Sequence, residues 1–123
     1  MSEPPTAPPE TILFVEDETL VRMDMAEFLR ECGYRVYEAA TAKEAIEALQ
    51  AKFAVDLVFT DINLRDDMNG LELGEWTLRE RPGVKVLVTT GMPLGRSTFP
   101  KPSDLSWLSH TRAAICSTGY DTR

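Results

Sequence analysis

Only two of the 123 residues are cysteine and only one is histidine. Cys32 and Cys116 lie far apart, no CxxC occurs, and His110 stands without a local Cys/His partner, so neither a disulfide framework nor a zinc site is expected. Reduced thiols are expected, with Cys32 a buried helix residue. Basic residues are the minority, 13 Lys and Arg against 20 Asp and Glu, for a formal net charge of −7. No basic stripe tracks a phosphate backbone, which argues against a nucleic acid as a direct partner. No apolar run approaches the length of a membrane span, and Met1-Ser2-Glu3-Pro4-Pro5 has neither the basic segment nor the apolar core of an export signal. A cytoplasmic location is the resulting expectation. A glycine-rich dinucleotide fingerprint, a P-loop and an HExxH helix are all missing, which leaves nucleotide chemistry and zinc hydrolysis without support.

What is present is a chain long enough for one domain with its own core. Residues 1–10 hold four prolines and form a solvated tail. Thr11 to Val15 reads as a short strand, and Thr19 to Cys32 as an amphipathic helix carrying Val21, Met25, Phe28 and Leu29, stopped by Gly33. Tyr34 to Glu38 reads as a second strand, and Thr41 with Glu44 has capping-box spacing ahead of Ala42, Ala45, Ile46 and Leu49. Val55 to Thr60 gives a third strand, 65–70 a polar loop, Leu71 to Glu80 a third helix ended by Arg81-Pro82-Gly83, and Val84 to Thr89 a fourth strand. Alternating strands and helices make this an α/β chain with a parallel, doubly wound sheet. Gly91 to Asp104 carries three prolines and no clear periodicity. Residues 105–123, with Leu105, Trp107, Leu108, Ala113, Ala114 and Ile115, accommodate at most one weak helix.

Chemistry concentrates at strand ends. The apolar run before Asp61 and the run Ile12-Leu13-Phe14-Val15 before Glu16-Asp17 both end in acid. In an open α/β sheet, ligands gather outside the carboxyl ends of such strands, so these three carboxylates would meet there. Clustered carboxylates repel one another unless a cation lies among them, and Mg²⁺ suits oxygen ligands and retained waters. An aspartate so placed either ligates a metal or attacks an electrophile. A phosphoryl donor would further call for a hydroxyl, available from Thr90, and a cation, for which Lys101 is the downstream candidate.

This pattern resembles the receiver domain of two-component response regulators, from Thr11 to about Met92. Glu16-Asp17 resembles the family's acidic pair, Asp61 its phosphoacceptor, Asn63 the residue whose backbone carbonyl joins the Mg²⁺ shell, and Thr90-Gly91 its Thr/Ser followed by a small residue. Met68-Asn69-Gly70 resembles the end of the loop after the phosphorylated Asp, here one residue longer, with Leu64-Arg65 in place of Met-Pro. The resemblance implies a flavodoxin-like, CheY-like fold with strand order 2-1-3-4. It also implies Mg²⁺-dependent transfer of a phosphoryl group to Asp61 from a histidine kinase or histidine phosphotransfer protein. The activity would be self-catalysed transfer and autodephosphorylation rather than that of a conventional enzyme. With no effector following in the chain, output would pass to a downstream protein.

In the family a helix and a fifth strand separate the Thr/Ser from a Lys-Pro dipeptide, whereas Lys101 follows Thr90 by only 11 residues. Either Phe99-Pro100-Lys101-Pro102 forms an abbreviated fifth strand, or the chain stops being receiver-like near residue 100 and the sheet ends at the fourth strand. The second account is the expectation taken here, giving a receiver region at 11–100 and an atypical tail at 101–123. Either account leaves an exposed apolar sheet edge that would promote dimerisation, as a homodimer, or aggregation. The rival function is a non-phosphorylated, receiver-like interaction module with an incomplete site. A phosphohydrolase with an Asp nucleophile is a third, with Asn63 where a second catalytic carboxylate would be needed. Asp56 reads as structural, Asp66-Asp67 as a solvated loop, and Trp76 and Trp107 as packing residues.

Overall fold

A computed structural model describes residues 10–51, 54–64 and 68–89, and the backbone of 113–116. The elements run β1 (Thr11–Val15), α1 (Thr19–Glu31), β2 (Arg35–Ala39), α2 (Ala42–Gln50), β3 (Leu57–Asp61), α3 (Gly70–Glu80), β4 (Lys85–Thr89) and β5 (Ala113–Cys116). All strands pair in parallel in the order β2-β1-β3-β4-β5. The expected order 2-1-3-4 is therefore present, with one strand more.

Local chemistry accounts for the boundaries. α1 ends where Gly33 takes a φ of 106°, a left-handed conformation open to glycine without Cβ strain. The Thr41 hydroxyl caps α2 by accepting the Glu44 N–H at 3.1 Å, while the Glu44 carboxylate reaches back to the Ala40 N–H at 2.8 Å. α3 starts on a full capping box: Asn69 accepts from the Glu72 N–H at 2.8 Å and Glu72 accepts from the Asn69 N–H at 3.0 Å.

Because the sheet is covered on both faces, β1 and β3 are buried along their whole length. Alternate residues divide between two cores. Ile12, Phe14, Leu57, Phe59 and Leu87 share one with Met25, Ala26 and Leu29 of α1. Leu13, Val15 and Val58 share the other with Ala45 and Leu49 of α2 and Leu73 of α3, with Trp76 packed against it. At the amino end the register is pinned through Asp56, whose carboxylate accepts the Thr11 N–H at 2.8 Å. Its backbone N–H donates to Thr11 at 2.9 Å and its carbonyl accepts from Lys85 at 2.9 Å. Asp56 is thus a structural aspartate.

The tail departs from expectation. Ala113–Cys116 is a strand rather than part of a weak helix, and it pairs with β4 from Val86–Ala113 to Thr89–Cys116. The sheet does not end at its fourth strand. An uncovered β4 would present a row of unpaired N–H and C=O groups, and adding a parallel strand satisfies them. The interval 90–112 is long enough for the crossover that the 11 residues to Lys101 were not. The β4 edge is occupied by β5, leaving β2 and β5 as the sheet edges among the described residues. The segment Phe99–Pro102 lies outside the described residues. Among the described residues no helix is long and apolar enough to cross a membrane.

Candidate acidic site at the carboxyl ends of the strands

β1 and β3 are neighbours in the sheet, so the residues that follow or end them emerge side by side. Glu16, just past β1, is 3% exposed and Asp61, the last residue of β3, is 9% exposed. Burial of this kind is rare for unpaired carboxyls and costs free energy when they are ionised. It pushes the Glu16 carboxyl up to about 7, against the Glu18 N–H, with the Asp61 and Asp17 charges adding to the rise. Burial likewise raises Asp61, opposed by the Asn63 N–H and by a hydrogen bond with Glu16. With both carboxyls ionised the buried pair is unfavourable, and a proton or a cation between them relieves it.

Glu16 is held at every polar group but one. Its N–H donates to the Ala39 carbonyl at 3.0 Å, its carbonyl accepts from an Arg22 guanidinium nitrogen at 2.9 Å, and its Oε2 accepts the Glu18 N–H at 2.9 Å. Its buried Oε1, in the carboxylate form, has no hydrogen-bond partner. Asp61 is fixed through Oδ1, which accepts the Asn63 N–H at 3.2 Å, and through its carbonyl, which accepts the Thr60 hydroxyl at 2.9 Å. The next peptide is tied down as well, since Ile62 donates to the Thr89 carbonyl at 2.8 Å and accepts from Gly70 at 2.9 Å.

Beside this pair an open cleft of ≈ 410 Å³ is lined by Asp17, Ile62, Asn63, Leu64 and Asn69. Glu16, Asp17, Asp61 and Asn63 therefore come together at one end of the sheet. Thr89 closes β4 opposite Asp61. Thr90 and Lys101, the candidate hydroxyl and cation, lie outside the described residues, as do Asp66 and Asp67. Sequence reasoning passed over Arg22. An arginine four residues into a helix opposes the helix dipole, but that position alone does not say which acceptors it reaches.

The donor set fits a hard divalent cation. Glu16 Oε1 is a buried carboxyl oxygen without a hydrogen-bond partner, and Asp61 stands beside Glu16. Among the described residues no three acidic, histidine or cysteine side chains form a ready metal cage. Mg²⁺ prefers oxygen ligands and retains several waters, which is the chemistry these carboxyls offer.

Residues 12–93 match the response regulator receiver domain family. The chain belongs to that family and carries the receiver fold of two-component response regulators. The transcriptional regulatory protein PdtaR of Mycobacterium tuberculosis is 46% identical over 59 residues, which are 47% of this chain and 28% of PdtaR. Among solved structures, a CheY-like receiver domain protein of Methanospirillum hungatei superposes with a TM-score of 0.67 at 27% identity, covering 93% of this chain and 84% of that one. The response regulator TrrA of Thermotoga maritima, in complex with Mg²⁺-BeF, gives a TM-score of 0.63 at 27% identity, covering 91% and 90%. The chain thus spans less than a third of the curated relative named here.

Proposed function

We propose that this chain is a phosphoacceptor receiver in which Asp61 takes a phosphoryl group from a histidine kinase or histidine phosphotransfer protein. The carrying observation is the buried Glu16–Asp61 pair, two carboxyls that only a proton or a cation reconciles. Burial on one side and the Asn63 N–H on the other orient Asp61. One of its carboxylate oxygens attacks phosphorus, an O–P bond forms, the P–N bond to the donor imidazole breaks, and the imidazole leaves with the electron pair and takes a proton. Glu16, Asp17, Asp61 and the Asn63 backbone carbonyl would hold Mg²⁺, which when bound neutralises charge on the transferring oxygens. The Thr90 hydroxyl would bond a phosphoryl oxygen and Lys101 would supply a further cation.

The acyl phosphate then shifts the population of surface conformations near the end of β4, and a downstream protein reads that surface. A histidine-kinase donor and Mg²⁺ both suit a cytoplasmic location. The likeness to TrrA with Mg²⁺-BeF supports the reading. The test is intact mass after incubation with Mg²⁺ and acetyl phosphate, with an Asp61→Asn control. A single labile phosphoryl adduct on the parent and none on the variant is the expected result. A folded parent without an adduct would overturn it in favour of an interaction module, and an adduct on Asp61→Asn would move the acceptor elsewhere.

A further inference from the structure

A line of polar contacts runs from β2 along α1 to the acidic pair. Glu38 on β2 receives two guanidinium groups, one on each carboxylate oxygen: Arg22 Nε lies 3.5 Å from Oε1 and an Arg30 nitrogen 3.2 Å from Oε2. Arg30 also donates to the Val36 carbonyl at 2.9 Å, fixing it to the same strand. Arg22 turns its other arm to the Glu16 carbonyl at 2.9 Å. Its side chain is only 17% exposed, so this hydrogen bond and the ion pair to Glu38 are partly shielded from water. On the opposite side of the same residue, the Glu16 N–H is bonded to Ala39, one residue after Glu38. β2 therefore grips Glu16 twice, once directly and once through Arg22.

Building on the cation-binding reading above, we propose that Arg22, braced by Glu38, is a positioning residue that clamps the Glu16 peptide and keeps its carboxyl beside Asp61 with Oε1 free for the divalent cation. The guanidinium does not touch the cation. It removes the rotation of the Glu16 peptide that would let the side chain swing out to solvent and relieve its burial. Partners of metal ligands at this remove act on affinity by fixing ligand orientation. A lysine cannot reproduce the clamp, because one ammonium cannot span the Glu16 carbonyl and the Glu38 carboxylate in the planar fork that arginine offers.

The experiment is titration of the full chain with Mg²⁺ alone, followed by the amide signals of residues 15–18, for the parent, Arg22→Met, Arg22→Lys, Glu38→Gln and the distant surface variant Arg79→Met. The clamp requires that Arg22→Met weaken Mg²⁺ roughly tenfold or more, the range found for outer partners of metal ligands. Arg22→Lys and Glu38→Gln should weaken it by smaller factors, and Arg79→Met should match the parent. Loss of melting temperature with Mg²⁺ affinity unchanged in Arg22→Met would make the contact structural alone and overturn the proposal. Should Arg22→Met not fold, parent-like affinity in both Arg22→Lys and Glu38→Gln overturns it equally. A parent that takes up no Mg²⁺ sinks the phosphoacceptor reading together with the clamp. A parent that binds Mg²⁺ and forms the Asp61 adduct, beside variants that bind as well as it does, sinks the clamp only.

Discussion

Gly70 lies against the backbone of Asp61: a Cβ placed on it would overlap the Asp61 carbonyl oxygen and crowd Ile62 Cα. The first residue of α3 and the last of β3 are thereby in contact without any side chain between them, and the Gly70 N–H completes the junction on the Ile62 carbonyl. Atoms of the backbone cannot yield as the end of a flexible side chain can.

Gly70→Ala is therefore expected to cost about 1–3 kcal/mol of stability, the range for overpacking a filled site. Because the atom struck is the Asp61 carbonyl, the variant should also slow phosphoryl labelling by acetyl phosphate at temperatures where it remains folded. Gly83, where an added methyl would meet nothing within 4 Å, is the control. Gly83→Ala should leave stability within about 1 kcal/mol of the parent, or raise it slightly by restricting the unfolded chain. Urea denaturation of the two variants beside the parent tests both statements.

The raised Glu16 carboxyl sets a pH dependence. Its ordinary value of 4.5 becomes about 7 in the folded protein. Over that window the folded state keeps a proton that the unfolded state has lost, so stability falls as pH rises from about 4.5 to about 7. The Asp61 shift has the same direction and adds to the fall. Glu16→Gln should flatten the decline, and saturating Mg²⁺ should reduce it in the parent by supplying the positive charge that the proton no longer does. Melting temperatures at pH 5, 6, 7 and 8, with and without Mg²⁺, provide the check; a parent and Glu16→Gln with parallel curves would contradict it.

Phe14 of β1 and Phe59 of β3 pair across the strands with ring centroids 5.2 Å apart and planes tilted by 38°. Both are essentially inaccessible to solvent. Phe14→Ala and Phe59→Ala should each cost about 3–5 kcal/mol through lost burial and cavity formation. The double variant should cost less than the sum by about 0.5–1.5 kcal/mol, the coupling of a tilted aromatic pair. A denaturation cycle of the four proteins measures that difference, and strictly additive losses would show that the rings contribute only as separate hydrophobes.

β1, β3 and β4 were legible as short apolar runs bounded by Gly, Pro or charge, β2 (Arg35–Ala39) by its place between Gly33 and the cap of α2, and parallel order follows from the intervening helices. The meeting of Glu16 with Asp61 followed from the same pattern, since both lie at carboxyl ends of runs that prove adjacent. β5 was not legible. Ala113-Ala114-Ile115-Cys116 contains two alanines, which disfavour strands, and no period-2 alternation to separate it from a helical fragment. Its pairing is supplied by the open β4 edge, a tertiary demand without a local signature. The cap on α3 was legible in principle, since Asn69 and Glu72 have the required spacing, yet Asn69-Gly70 reads first as a turn. The contacts of Arg22 depend on where β2 delivers Glu38, and no spacing along the helix reveals that.

The Asp56 pin makes the sheet mechanically lopsided. At the amino end β1, β3 and β4 are bolted together through one residue, by a carboxylate and both halves of its peptide. At the other end β1 and β3 deliver Glu16 and Asp61 side by side. Any change of charge on Asp61 thus acts at the end of the sheet away from that pin. The displacement it causes is expected to be greatest near Val15, Asp61 and Thr89 and smallest near Thr11 and Lys85. A partner that senses the state of Asp61 has reason to bind at the first end, and a fusion or tether attached near the second would leave that motion undisturbed.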